Sequence, residues 1–166
     1  MAITRFAKPL SLALVSFLAL GSVAKADSPA AEPQALASLA TMVQNLGYTT
    51  TLSADKQAFA ITWTGQYNYI IHFDLSNDGT LVYLYTDLET YTPAQLASLQ
   101  YVKLLEASNT SDFFFSTENF PSGEDIYANA ILPAAGLTPQ YLRSTLSDWA
   151  GKIDASDALW DPTMWK

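Results

Sequence analysis

Residues 67–88 read YNYIIHFDLSNDGTLVYLYTDL, and this stretch decides the fold. Before Ser76, apolar and polar side chains alternate with a period of two, as in a β-strand that buries one face. The predicted buried face consists of Tyr67, Tyr69, Ile71, Phe73 and Leu75. Ser76-Asn77-Asp78-Gly79 is typical of a tight turn, because Asn, Asp and Gly tolerate positive φ. Another strand follows at residues 81–88, so the stretch predicts an antiparallel hairpin.

Further strands and three helices flank this hairpin. Apolar spacings of three and four, opened by proline, predict helices at residues 34–46, 92–107 and 139–153. Alternating or aromatic runs predict further strands at residues 59–64, 113–115 and 125–132. Residues 48–52 fit either a short strand or an extended entry. The predicted fold class is therefore α+β, in the order α-βββ-α-ββ-α.

Three short sequence features accompany this order: Gly47-Tyr48 after the first helix, a hairpin at Asp78-Gly79, and Ala107-Ser108-Asn109 after the second helix. With these features, the chain resembles the YbjN family over roughly residues 34–155. That family is placed with the type III secretion chaperone-like fold. The resemblance implies a sandwich with a curved antiparallel sheet and helices mainly on one face, often a homodimer, which binds other proteins. Such proteins are generally cytoplasmic, and the family offers no functional residues to transfer.

The N-terminus has the three parts of a secretory signal. Arg5 and Lys8 precede an apolar run at residues 10–20, and Ala24-Lys25-Ala26 fits a small-x-small cleavage pattern. The apolar run is about half the roughly 20 residues that a membrane-spanning helix needs. We therefore predict a signal peptide at residues 1–26, a mobile leader at 27–33, and export to the periplasm or the medium.

The charge of the chain excludes two classes of partner. The formal net charge is −8, and removal of residues 1–26 would make it more negative, since Arg5, Lys8 and Lys25 leave with them. Nucleic acids and anionic membranes bind proteins mainly through Lys and Arg, so neither is a predicted partner. The chain has no Cys, which excludes disulfides and thiolate metal sites.

No catalytic, cofactor or metal residues are assigned from the sequence. His72, Asp74 and Ser76 are the residue types of a hydrolase triad, but no Gly-x-Ser-x-Gly motif accompanies them. Asp74 to Gly79 matches the opening of a calcium loop, but Tyr85 stands where the bidentate Glu is expected. The turn is better explained as a hairpin than as a cation site.

Carboxylates support an alternative interpretation, a small exported hydrolase. Such an enzyme would need at least two acidic side chains to converge in a concave site, one with a raised pKa. The candidates are Asp74, Glu118, Glu124 and Asp125.

Aromatic residues provide the candidate interface. Phe113, Phe114 and Phe115 would place rings on both faces of one strand, so the second face also needs a cover. The aromatic tail, residues 156–166, contains Trp160 and Trp165 and would either fold back or bind a partner. These five residues form the predicted interface, with a second copy of the chain or an unidentified protein as partner. The predicted function is an exported, non-catalytic, chaperone-like protein-binding domain.

Overall fold

The computed structural model describes residues 31–108, 112–120 and 123–165. The predicted signal peptide, residues 1–26, lies outside the described residues, as does most of the predicted leader. Within the described part of the chain, no helix combines the length and apolar character that a membrane crossing needs.

The described elements follow the predicted order with short additions. They are α1 (Ala31–Asn45), β1 (Thr51–Leu52), β2 (Ala58–Thr64), β3 (Asn68–Leu75), β4 (Leu81–Tyr91), α2 (Pro93–Leu96), α3 (Tyr101–Ala107), β5 (Phe114–Phe120), β6 (Gly123–Pro133), α4 (Pro139–Ala155) and α5 (Asp157–Trp160). A 3₁₀ turn, Pro162–Met164, follows α5. The segment at residues 48–52 contains a two-residue strand, and α1 begins at Ala31, so it takes in the last three residues of the predicted leader.

All six strands pair antiparallel, in the order β1-β2-β3-β4-β6-β5. The chain leaves β4 through α2 and α3, forms β5 at the sheet edge, and returns with β6 between β5 and β4. A β-bulge interrupts the β4–β6 register between Asp87 and Glu89. The predicted fold class, α+β with a curved antiparallel sheet, is confirmed.

The hairpin predicted from residues 67–88 is formed by β3 and β4. Its turn is held by Asp78, whose Oδ1 accepts hydrogen bonds from Ser76 Oγ at 2.6 Å and from Thr80 Oγ1 at 2.8 Å. These bonds to the ionised form lower the pKa of Asp78 to about 2. Gly79 adopts φ 68°, a left-handed conformation that glycine reaches without steric cost. The side chain of Asp78 therefore stabilises the turn, as expected for a hairpin.

The helices lie on one face of the sheet, which we call the covered face. Alternate strand residues point into this layer, and those at most 1% exposed include Phe59, Ile71, Phe73, Leu84 and Ile126. The helices contribute Val43, Leu142, Leu146, Trp149 and Ile153, also at most 1% exposed, to the same hydrophobic cluster. Burying one such side chain stabilises a fold by about 1.5–3 kcal/mol, so this layer supplies the main driving force for folding.

The second predicted helix, residues 92–107, is broken into α2 and α3. A single helix was expected to bury Leu96, Leu99, Val102 and Leu105 along one face, and this prediction was wrong. Leu99 is instead buried in the segment between the helices, while Val102 and Leu105 are 68% and 69% exposed. The break lets α2 pack on β4 and β6 while α3 packs on β5 and buries Leu104.

Candidate functional site

The sheet surface that faces away from the helices is the candidate site, and we call it the open face. It carries the other alternate residues of the strands, and among the described strand residues on it only Gly123 is buried. Its aromatic side chains are those of His72, Tyr83, Tyr85, Phe114 and Tyr127. A half-exposed aromatic surface of this kind is a common mark of an interaction site.

One row of side chains crosses the open face over four strands. The strand register places His72 opposite Tyr85, Tyr85 opposite Asn129, and Asn129 opposite Phe114. The His72 and Tyr85 rings stack, with centroids 4.8 Å apart and planes 10° apart. Asn129 Nδ2 donates a hydrogen bond to Ser116 Oγ at 2.8 Å. These contacts hold the centre of the face in a fixed arrangement of rings.

Three carboxylates lie beside this row. Asp87 is opposite Tyr127 in the β4–β6 pairing, and Asp125 is opposite Glu118 in the β5–β6 pairing. Tyr127 donates its hydroxyl hydrogen to Asp125 Oδ2 at 3.4 Å. Asp125 Oδ1 is buried and has no hydrogen-bond partner among the described residues. Tyr85, Tyr127, Asn129 and Glu118 help to line a shallow depression that is open to solvent.

The titratable groups of the open face report a local excess of negative charge. Burial raises the pKa of Asp87, and the nearby Asp125 raises it further, against an opposing effect of His72. Burial, followed by Asp87 and Asp125, raises the pKa of Tyr127 to about 12. Burial lowers the pKa of His72, and Asp87 counteracts part of that effect. Asp125 therefore acts on the pKa of Asp87 more strongly than His72 does.

Replacing Asp87 with asparagine should raise the Tm at pH 7. Because the folded-state pKa of Asp87 lies above its unfolded value, protonation stabilises the fold, and this stability is lost as the pH rises through the folded pKa. The Asp87→Asn variant should therefore exceed the wild type at neutral pH and converge with it below the unfolded pKa of about 4. The gain should stay under about 1 kcal/mol, because Asp87 is exposed to water.

The matched control for this variant is Asp148→Asn. Asp148 Oδ2 lies 2.8 Å from Lys152 Nζ on the exposed surface of α4, so its removal should leave the Tm unchanged or slightly lower. Scanning calorimetry from acid to neutral pH measures both variants. An Asp87→Asn protein that melts below the wild type at pH 7 would contradict the assigned repulsion.

The five predicted interface aromatics lie in different places. Phe114 is on the open face, whereas Phe113 is 2% exposed and packs edge-on against Phe115 on the covered face, with centroids 5.1 Å apart. Trp160 is 4% exposed in the core, and Trp165 stacks on Tyr91 at 5.5 Å. In this structure, an interface that used Phe113 or Trp160 would first have to expose them.

The predicted triad residues do not meet as a catalytic group. His72 stacks on Tyr85, and Asp74 Oδ1 accepts the backbone N–H of Leu75 at 2.7 Å. Ser76 Oγ is bound to Asp78 in the turn. Among the described residues, no cluster of three or more His, Asp or Glu side chains could hold a metal ion.

The four candidate carboxylates also separate. Glu124 points to the covered face, is 8% exposed, and accepts a hydrogen bond from the Tyr101 hydroxyl at 2.9 Å. Only Glu118 and Asp125 lie opposite each other, and their third neighbour is Asp87. Asp87, Tyr85 and Tyr127 were not predicted as site residues, although their alternation with buried neighbours in β4 and β6 was a readable signal.

No protein-family model matches the sequence, and no curated protein matches it. The structure is similar to the crystal structure of YbjN from E. coli, a candidate transcription regulator, with a TM-score of 0.55 and 14% identity over 72% of this chain and 86% of that chain. It is also similar to the Yersinia pestis type III secretion chaperone SycH, solved with a stable fragment of YscM2, with a TM-score of 0.49, 12% identity, and coverage of 75% and 98%. A third similar structure is the ExsC–ExsE complex, with a TM-score of 0.42 and 15% identity over 76% of this chain and 91% of that chain. The likeness predicted from the sequence is thus found in the structure, and the chain shares the α+β fold of YbjN.

Proposed function

We propose that this chain is an exported, non-catalytic protein-binding domain, chaperone-like in its action, that binds its partner on the open face. The observation that carries this proposal is a sheet with one face covered by helices and the other uncovered, aromatic and preformed. Its export rests on the signal pattern at residues 1–26.

A binding surface is favoured over the carboxylate-dependent hydrolase. A hydrolase site has to exclude bulk water from its reacting groups and hold an acid and a base around the substrate. Glu118 instead lines a depression that is open to solvent, with Asp125 opposite it in the β5–β6 pairing. Glu124 is turned to the other side of the sheet. The strand residues also include no Lys or Arg, which opposes binding to a DNA backbone.

The open face favours a different protein over a second copy of this chain. A two-fold dimer through this face would bring Asp87 and Asp125 of one copy towards the same residues of the other, and like charges at close range destabilise an interface. The homodimer stays a prediction, and an association through another surface is compatible with an open face that is free for a partner.

Site-specific photocrosslinking in cells that export the protein tests this proposal. A photoreactive phenylalanine analogue at Tyr85 should give a defined adduct, because this side chain is at the centre of the open face. The same analogue at Tyr141, which is 47% exposed on α4, is the matched control and should give little or none. Adducts at position 141 with none at position 85 would overturn the assignment of the open face.

A further inference from the structure

The charged residues of the sheet are all of one sign. The strands contain six acidic residues and no Lys or Arg: Asp74, Asp87, Glu89, Glu118, Glu124 and Asp125. The four Lys and Arg residues in the described part of the chain lie outside the strands, in the β1–β2 turn, α3 and α4. Two of these are engaged there, since Lys152 pairs with Asp112 and Asp148, and Arg143 donates to the Leu46 carbonyl.

The open face therefore holds negative charge that the described chain does not neutralise. Asp125 raises the pKa of Asp87, and Asp125 is partly buried whereas Asp87 is exposed. Asp125 Oδ1 is a buried acceptor without a partner among the described residues. An unpaired buried acceptor costs about 1–3 kcal/mol, so a rotation of the Asp125 side chain that brings Oδ1 to a donor of a ligand would recover free energy that the free protein lacks.

The aromatic rings beside Asp87 and Asp125 indicate which chemical group of a partner would donate to them. Tyr85 and Tyr127 present half-buried ring surfaces next to Asn129 and Glu118 in one depression. A guanidinium group stacks on an aromatic face and at the same time donates in its plane to carboxylates, whereas an ammonium group offers only a point charge. The combination of rings and acceptors thus favours Arg over Lys.

We infer that the partner bound by the open face is a basic protein segment whose Arg side chains stack on Tyr85 and Tyr127 and donate to Asp87 and Asp125. This inference rests on the proposed function and specifies the chemistry of its partner. It also gives the acidic pair a role, because two mutually repelling carboxylates cost stability in the free protein and are neutralised when a cation binds.

Calorimetric titration with short peptides tests the inference. The probes are ten-residue Arg-Ser, Lys-Ser and Glu-Ser repeats, added to the purified protein at low salt. The Arg-Ser peptide should bind more tightly than the Lys-Ser peptide, and the Glu-Ser peptide should not bind. Replacing Asp87 and Asp125 together with asparagine should weaken Arg-Ser binding at least tenfold, while the Tm does not fall.

The matched control removes two acidic charges elsewhere, through Glu106→Gln in α3 and Asp148→Asn in α4. It should change the affinity less than twofold. Equal weakening by both pairs of substitutions would overturn the site, because overall acidity alone would then explain the binding. No affinity for the Arg-Ser peptide, with adducts still formed at position 85, would overturn the basic partner and leave the proposed function standing. Absence of both signals would overturn both proposals.

Discussion

Replacing Trp160 with alanine should lower the free energy of unfolding by about 3–5 kcal/mol, the usual cost of removing a buried tryptophan ring. Trp160 is 4% exposed, and its ring packs edge-on against Tyr67 with centroids 5.1 Å apart. Its Nε1–H donates to the Ile153 carbonyl at 3.0 Å, and its own carbonyl accepts the hydroxyl of Tyr91. The substitution would remove the packing and the indole hydrogen bond together.

Urea unfolding of three variants separates these contributions. The Trp160→Phe variant keeps an aromatic ring and loses the hydrogen bond, so it should cost less than the alanine variant. The Trp165→Ala variant is the control, because Trp165 stacks on Tyr91 but remains partly exposed, and it should also cost less. If the Trp160→Ala protein unfolds at the same urea concentration as the wild type, the tail is not packed in solution and is available to a partner.

The sequence allowed two roles for the tail, folding back on the domain or binding a partner. Only the first buries the tail within the chain, and the sequence pattern alone does not report burial. An apolar tail predicts a contact but not whether that contact lies within the chain or with another protein. In the structure, α5 turns the chain so that Trp160 enters the core beside Tyr67 and Tyr91. The contacts of Trp160 with Tyr91 and Tyr67 join residues 69 and 93 positions apart, a distance over which local pattern carries no information.

Local signals predicted the elements well because their causes are local. The β3–β4 hairpin follows from strict alternation and from the turn residues at Asp78-Gly79, and α4 begins at the Thr138-Pro139 pair, where Thr138 Oγ1 accepts the N–H of Tyr141. Alternation also predicted that the run at 113–115 would place rings on both faces of the sheet. In the structure, Phe114 lies on the opposite face from Phe113 and Phe115.

The candidate site was less predictable because it depends on a non-local pairing. Asp87 and Asp125 meet only because β6 returns to pair with β4 and leaves β5 at the edge. Even when a sequence predicts two hairpins, it does not determine which strand of the second hairpin pairs with the first hairpin. The bulge after Asp87 then shifts the register, so Asp125 lies opposite Thr90 and not opposite Glu89, and the β4–β6 pairing alone would not reveal this shift.

Replacing Gly123 with alanine should destabilise the protein by about 3 kcal/mol or more, because the new methyl group has no room. A Cβ at this position would lie 2.1 Å from the carbonyl oxygen and 3.1 Å from the carbonyl carbon of Tyr91. Both contacts are with backbone, which cannot rotate away as a flexible side chain would. The start of β6 would have to separate from the end of β4, where Glu124 pairs with Tyr91.

Gly151→Ala provides a control of opposite sign. Gly151 lies within α4 and a Cβ there would meet no atom within 4 Å, so alanine should stabilise the helix by up to about 1 kcal/mol. Urea unfolding of both variants should show the two midpoints moving in opposite directions from the wild type. A Gly123→Ala protein within about 0.5 kcal/mol of the wild type would contradict the close approach of the two strands.

The same substitution connects the register of the sheet to the open face. Gly123 lets β6 approach the end of β4 closely, and the pairing continues from there through the bulge to Asp87 and Tyr127. If the strands separate at Gly123, the β4–β6 register nearest the acidic pair is the first to loosen. Any Gly123→Ala protein that still folds should therefore bind the Arg-Ser peptide more weakly than the wild type, whereas the Gly151→Ala protein should bind it equally well.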